Sequence, residues 1–298
     1  DSWSEDARRG SETRTVSLRN VIGMIPGVDA TLAGQSVVVL AHVDHLGRGW
    51  PDVRTGNEGK IHPGADDNAS GVAVMLETAR MIAGTHRPAR TVIFVATSAE
   101  EWGLRGARRY IQSMQQWPAS DAISVVSIDA VGRLSQGRLL ALGTGTATEW
   151  IHIARGIGFT TGVSATAVKE DPGGSDQVPF HELGVPGIQL TTGPHDDYHR
   201  PGDSADKVDA DGMVQVATWL REALMYLSDR PDPLTSTLSA ATGSGSGSSP
   251  AATGRRVFLG TIPDFADPGP GVRIEGVVDD SPAQLAGLKA GDRLISLD

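Results

Sequence analysis

Residues 36–44 read SVVVLAHVD, and residues 91–101 read TVIFVATSAEE. Each stretch opens with an almost unbroken aliphatic and β-branched run. That is the pattern of a strand buried on both faces, as in a parallel sheet. Each run then gives way to groups that bind cations or move protons: His42 and Asp44 in the first, Glu100 and Glu101 in the second. Two further runs of the same kind lie at 123–129 and 187–192. One ends in Asp129, and the other is followed by Asp196, Asp197, Tyr198 and His199. Between the first two runs, residues 69–83 carry Val72, Met75, Leu76, Ala79 and Ile82 at helical spacing. Segments 103–116 and 211–227 also read as helices. Strands alternating with helices predict an α/β domain with a mainly parallel central sheet between helical layers.

In an open sheet of this kind, ligands bind beyond the carboxyl ends of the strands. The four runs would therefore deliver His, Glu, Asp and His to one crevice. The stretch GADDNASG at 64–71 adds Asp66 and Asp67 just before a helix, where free N–H groups favour carboxylates. Each piece has a plainer reading. Asp66 to Ser70 suits a helix cap, Glu100 and Glu101 a solvated helix start, Asp129 a turn, and His42 a satisfied core histidine. The coincidence of all of them at strand ends favours a site.

Composition restricts the chemistry. The chain has 298 residues, a formal net charge of −10 and no cysteine. Disulfides, iron–sulfur sites and thiol nucleophiles are excluded, so any metal must be held by His, Asp and Glu. The acidity argues against a nucleic-acid partner. The longest apolar runs are too short for a membrane span. The sequence also lacks G-x-S-x-G and H-E-x-x-H. A cysteine-free pair of metal ions needs about five imidazole and carboxylate ligands, with a separate carboxylate left to move protons. Adjacent Glu100 and Glu101 offer one of each. His42 and Asp44 share a strand face, so Asp44 is expected to hold the imidazole of His42.

The blocks HVDHLG, PGADDNASGVAVMLE, SAEEWGLRGARRY, SIDAVGR, GGSDQVPFHELGVP and DDYHRPGDSADK stand in one order between residues 20 and 209. Together they resemble the M28 family of zinc aminopeptidases. The resemblance implies a mixed, mainly parallel sheet flanked by helices, carrying two co-catalytic zinc ions. It places His42 and Asp129 on one ion, Glu101 and His199 on the other, and Asp67 between both. Glu100 becomes the general base and Asp44 the partner of His42, and the Asp67–Asn68 peptide is expected to be cis. The implied substrates are peptides with a free N-terminus.

His195 is a candidate for the oxyanion contact, or else a hydrogen-bonded loop residue. Asp176 is expected to order the cleft or to cap a turn, and Asp203 to support His199 or to serve as a turn acid. His45 and His62 are expected at the rim or in loops, and His86, His152 and His181 on the surface. Two other readings share the fold: a glutaminyl-cyclase-like acyltransferase, which uses one zinc and lacks the first histidine, and a non-catalytic binding protein.

Residues 231–254, rich in Ser, Thr, Gly, Ala and Pro, read as a flexible linker. They separate a peptidase-like domain at 14–230 from a small β-rich fragment at 255–298, and residues 1–13 read as a flexible lead-in. In the fragment, SPAQLAGL at 281–288 followed by GDRLI at 291–295 resembles the first half of a PDZ domain. A complete PDZ domain would receive a peptide C-terminus. The chain begins with neither Met nor an apolar leader, so a signal peptide is not in view. A secreted or periplasmic location is expected from the resemblance alone.

Overall fold

In the computed structural model, the alternation within Ser36–His42 becomes two buried faces. Val37, Val39 and Ala41 enter one core, and Val38 and Leu40 enter another. The structure describes residues 1–9, 12–51, 53–54, 56–239, 259–264, 271–277 and 281–296.

In chain order the strands of the main sheet are β3 (Val21–Ile25), β4 (Ser36–His42), β5 (Thr91–Thr97), β6 (Ala122–Ile128), β7 (Leu139–Leu142), β8 (Ala165–Val168) and β9 (Gly187–Thr191). They follow a hairpin of β1 (Ser2–Arg9) and β2 (Glu12–Arg19). The helices of this part are α1 (Gly71–Thr85), α2 (Arg105–Ser113), α3 (Trp150–Thr161), α4 (Val178–Glu182) and α5 (Ala210–Asp229). The seven-stranded sheet has the order β3-β5-β4-β6-β9-β7-β8. Its centre, β5-β4-β6-β9, is parallel, whereas β3 runs antiparallel to β5 and β7 antiparallel to β9. The expected mixed, mainly parallel sheet is therefore present, and its parallel strands end together on one side.

Both faces are covered. Residues of α1, α3 and α5, including Val74, Trp150, Trp219 and Leu220, close the larger core over Val39, Phe94 and Val126. Tyr110 of α2 and Phe180 of α4 close the other over Leu40, Val95 and Val125. Arg90 is fully buried at the opposite end from the site. Its guanidinium donates to the carbonyls of Arg230 and, at 2.9 Å, of Pro231, so it satisfies groups that the end of α5 leaves unpaired.

The structure corrects several expectations. Residues 1–9 and 12–13 are no loose lead-in, because Ser2–Arg9 pairs residue by residue with Glu12–Arg19. The Asn20 N–H donates to the Asp1 carbonyl at 2.9 Å, and Arg109 donates to the Asp1 carboxylate at 2.9 Å. Polar side chains on both faces left this hairpin without a hydrophobic period. In α1, Leu76 is 62% exposed, and the buried stripe is Val74, Met75, Thr78 and Ile82. The linker reading also fails at its start. Leu234 is buried, Thr235 donates its N–H to Glu149 at 3.0 Å, and Thr237 donates its N–H to Thr146 at 2.9 Å. The rest of that stretch, 240–254, lies outside the described residues.

Beyond it, β10 (Thr261–Pro263), β11 (Val272–Val277) and β12 (Arg293–Leu294) form a three-stranded antiparallel sheet. A helical turn, α6 (Pro282–Leu285), is capped by Ser281, which accepts the Gln284 N–H at 3.2 Å. Arg138 of the main domain is 2.8 Å from Asp264, which follows β10. Among the described residues no helix is long and apolar enough to cross a membrane.

Candidate metal centre

Asp67 presents its two carboxylate oxygens to two different sets of side chains. One oxygen lies 3.3 Å from His42 Nε2, and that nitrogen is also 3.3 Å from Asp129. The other lies 3.2 Å from His199 Nε2, which is equally 3.2 Å from Glu101. The sheet explains the convergence: His42 ends β4, Glu100 and Glu101 follow β5, Asp129 follows β6, and His199 lies beyond β9. All five ligand positions expected from the sequence thus meet in one place.

Asp67 sits in the turn Ala65–Ser70 that leads into α1, and the Asp67–Asn68 peptide is cis, as expected. Asn68 ties this turn to the end of β6. Its amide donates to the Ile128 carbonyl at 2.8 Å, and its oxygen accepts the N–H groups of Gly71 and Ala130. The approach leaves no room for a side chain at residue 71, where a Cβ would lie 2.6 Å from the Ile128 carbonyl oxygen. Among the described residues four outside glycine have left-handed backbones, Ala99, Leu104, Ala130 and His199, at φ 59, 58, 52 and 56. Leu104 precedes α2, whereas the other three are His199 itself or adjoin Glu100 and Asp129, and such backbone cost concentrates at functional sites.

Asp44 acts differently from the expectation. His42 Nδ1 is 3.1 Å from the backbone carbonyl of Asp44, to which it donates, whereas the Asp44 carboxylate is 4.0 Å away. That carboxylate instead accepts the backbone N–H of Glu100 at 3.1 Å and of Glu101 at 3.3 Å. Asp44 therefore places the two glutamates, and the peptide carbonyl sets the His42 tautomer. With Nδ1 committed, Nε2 is the atom turned to the carboxylates.

The electrostatics are those of a site built for cations. Burial opposes a charge on His42, but Glu100 and Asp129 raise its pKa well above the ordinary imidazole range. Burial also opposes ionisation of Asp67, yet hydrogen bonds from His199 and His42 hold it far below the usual carboxylate range. Glu100, 8% exposed, is pushed well up by burial, and Asp129, Glu101 and Asp176 add to this against the pull of His42. Asp176 is buried beside Thr97, whose hydroxyl it accepts, and burial pushes it up to about 6. Crowded buried carboxylates are costly unless paired or bound to metal. Two sets of oxygen and imidazole atoms lie close enough to share an ion: His42, Asp67 and Asp129, and His45, Asp67 and Glu101. The donor set fits hard or borderline divalent ions such as zinc. Glu100 belongs to neither set.

His45 is a residue the sequence reading left at the rim. Its Nδ1 is 2.8 Å from Glu101, so it shares that carboxylate with His199. The available signal was its position three residues after His42. Gly64 makes room for it, since a Cβ there would lie 2.7 Å from the His45 ring. Two other histidines also differ from expectation. His62 is buried, with Nδ1 donating to the Lys60 carbonyl at 3.1 Å. His181 is largely covered, 3.1 Å from Asp171 and 3.2 Å from the Gly187 carbonyl.

A cavity of about 280 Å³ opens beside Asp129, lined also by Gln189, His195, Tyr198, Thr261 and Pro263. His195 reaches this cavity, but its Nε2 is 3.0 Å from Asp66 rather than at the ligand carboxylates. Tyr198 stacks on the His199 ring with centroids 4.1 Å apart. Burial, then the charges of Asp67, Asp129, Glu101 and Glu100, keep its phenol protonated and a donor. Residue type and spacing alone mark no role for Tyr198. Asp203, expected to support His199 or to serve as a turn acid, reaches to the turn that carries Asp67.

The family model described as "Peptidase family M28" matches residues 20–224. Among curated proteins, "Aminopeptidase YwaD" of Bacillus subtilis (strain 168) is 29% identical over 175 residues, covering 54% of this chain and 37% of that protein. The "Probable lipoprotein aminopeptidase LpqL" of Mycobacterium tuberculosis is 34% identical over 107 residues, covering 35% of this chain and 18% of that protein. The chain thus spans well under half the length of either. Among solved structures, an aminopeptidase from Aneurinibacillus sp. strain AM-1 superposes with a TM-score of 0.59 at 28% identity, over 75% of this chain and 51% of that one. A glutaminyl cyclase from Porphyromonas gingivalis shares the fold, with a TM-score of 0.59 at 18% identity over 75% of this chain and 83% of that one.

Proposed function

The chain belongs to peptidase family M28, and from that premise we propose that it is an aminopeptidase carrying two zinc ions. The carrying observation is the division of Asp67 between two sets of ligands, with Glu100 outside both. His42 and Asp129 would hold one ion, and Glu101 and His199 the other, with Asp67 shared; His45 stands as a further donor at Glu101. Bound there, the ions would supply Lewis acidity and make water acidic enough to attack near neutral pH.

The remaining chemistry belongs to the chain. Glu100 takes a proton from the attacking water and passes it to the leaving amine. Its buried carboxyl suits that exchange, because a raised pKa makes it a stronger base once ionised. Asp44 fixes the backbone of Glu100 and so the reach of its carboxylate. The carbonyl oxygen that gains charge requires a donor. His195 and Tyr198 both line the cavity beside Asp129, and Tyr198 is the favoured donor, since it stacks on His199 whereas His195 Nε2 lies 3.0 Å from Asp66. The acidic side chains around Glu100 and Glu101 favour a substrate with a free α-amine, and the cavity walls suit its side chain.

The cyclase reading is weaker, because His42 and Asp129 complete a second ligand set that a single-zinc site would not need. A non-catalytic binding role is weaker too, because every expected ligand position is filled. The small C-terminal sheet with its Ser281-capped turn supports the first half of a PDZ domain, and kinship with a lipoprotein aminopeptidase supports action outside the cytoplasm. The deciding experiment is hydrolysis of a panel of aminoacyl-p-nitroanilides by the zinc-loaded chain, with and without chelator. Chelator-sensitive release is expected. No release from any member overturns the reading, and saturation at one zinc per chain would favour the cyclase.

A further inference from the structure

Asp203 is fully buried and lies four residues beyond His199. Both of its carboxylate oxygens accept the N–H of Asp66 at 3.0 Å, and Oδ2 also accepts the N–H of Asp67 at 3.0 Å. Its backbone carbonyl accepts the N–H of Ala65 at 3.2 Å. Three successive peptide N–H groups of the turn that presents Asp67 thus end on one residue of the loop that presents His199.

The third ligand segment joins through Arg133, four residues beyond Asp129 and itself buried. Its guanidinium donates to Asp203 at 3.2 Å and lies 3.6 Å from Asp197 and 3.9 Å from Asp66. Asp66 is held in turn by the Ser70 hydroxyl at 2.9 Å and by the Gly132 N–H. None of these groups belongs to the ligand sets around Asp67. A carboxylate buried this completely survives only with charge-assisted partners, and here every partner is a segment that carries a ligand.

We propose that Asp203, braced by Arg133, is a positioning residue for the metal centre. It locks the Asp67 turn to the His199 loop, and so sets the placement in which Asp67 divides its oxygens between the two ligand sets. The inference rests on the two-zinc reading above. An asparagine at 203 keeps the shape but turns an amide N–H₂ toward backbone N–H donors, so the turn must shift. A lysine at 133 keeps the charge but loses the planar fork.

The test uses the full chain, stripped of metal and titrated with zinc against a chromophoric chelator. The melting temperature of the metal-free protein and kcat and KM on an aminoacyl-p-nitroanilide are measured alongside. Asp203→Asn should bind zinc about ten-fold more weakly or worse, with kcat reduced and KM nearly unchanged. Arg133→Lys should fall between it and the parent. A merely structural role would lower the metal-free melting temperature while the folded protein kept parental zinc affinity and kcat, and that result overturns the proposal. Should Asp203→Asn not fold, Arg133→Lys decides: weakened zinc binding supports the positioning role, and parental affinity overturns it. A parent chain that takes up no zinc would overturn the functional reading, and this inference with it.

Discussion

Asp44 controls Glu100 through the backbone: its carboxylate accepts the Glu100 N–H at 3.1 Å and, with its other oxygen, the Glu101 N–H at 3.3 Å. The acid at the end of one parallel strand therefore fixes the two acids that follow its neighbour. Asp44→Ala should lower kcat about ten-fold or more, because a base displaced by a fraction of an ångström loses its alignment. Bound zinc, measured by metal analysis, should fall less than kcat, since Asp44 holds Glu101 only through the backbone and is itself in neither ligand set.

Glu100→Gln keeps the volume and removes the base. Its kcat should fall by about 10²–10⁴-fold while zinc content is retained. The pH dependence follows from the direction of the shift. Burial raises the Glu100 pKa, so its ionised form is lost at a higher pH than for an ordinary glutamate. Turnover should therefore decline on acidification while a solvent-exposed glutamate would still be ionised. A pH–rate profile lacking that limb would count against Glu100.

Tyr198→Phe removes one hydroxyl from the cavity wall. If that hydroxyl meets the developing oxyanion, kcat should drop by about 10²–10³-fold with little change in KM. His195→Ala should cost less, because Nε2 of His195 already faces Asp66. The reverse order in steady-state kinetics would return the oxyanion role to His195.

Thr261 and Pro263 bring the C-terminal sheet to the cavity beside Asp129. Thr261→Trp should fill part of that space and raise KM most for substrates with large first side chains. Equal KM changes across a graded substrate series would show that this wall does not meet the side chain.

Asp209 caps α5, accepting the Gly212 N–H at 2.9 Å and the Ser135 N–H at 2.9 Å. Asp209→Ala should cost about 0.5–2 kcal/mol at neutral pH, read by chemical denaturation. The Gly212 hydrogen bond, above all, lowers the Asp209 pKa in the folded chain. Its charged-state stabilisation is therefore complete above the unfolded value near 3.9. It is lost as pH falls through the lower folded value, so the gap between parent and variant should narrow there.

The sequence by itself determined the four central strands and three of the helices, and it placed His42, Glu101, Asp129 and His199, which converge on Asp67, at or beyond strand ends. Short, continuous, β-branched apolar runs suit strands covered on both faces, and parallel strands necessarily end on one side. It could not reveal the polar hairpin Ser2–Arg9 and Glu12–Arg19, whose pairing rests on backbone hydrogen bonds and not on burial. It also passed over Leu139–Leu142 and Ala165–Val168, each only four residues long, and helix Trp150–Thr161, whose pattern is broken by Gly156 and Gly158. Tertiary structure alone decided that Asp44 serves two glutamate N–H groups, that His45 reaches Glu101, and that Asp203 grips the turn of Asp67. Those are contacts of side chains with backbone and rings brought together by the fold. Residue type and spacing specify which groups arrive at a strand end, but the directions of their remaining lone pairs and N–H bonds are set only when the loops close around them.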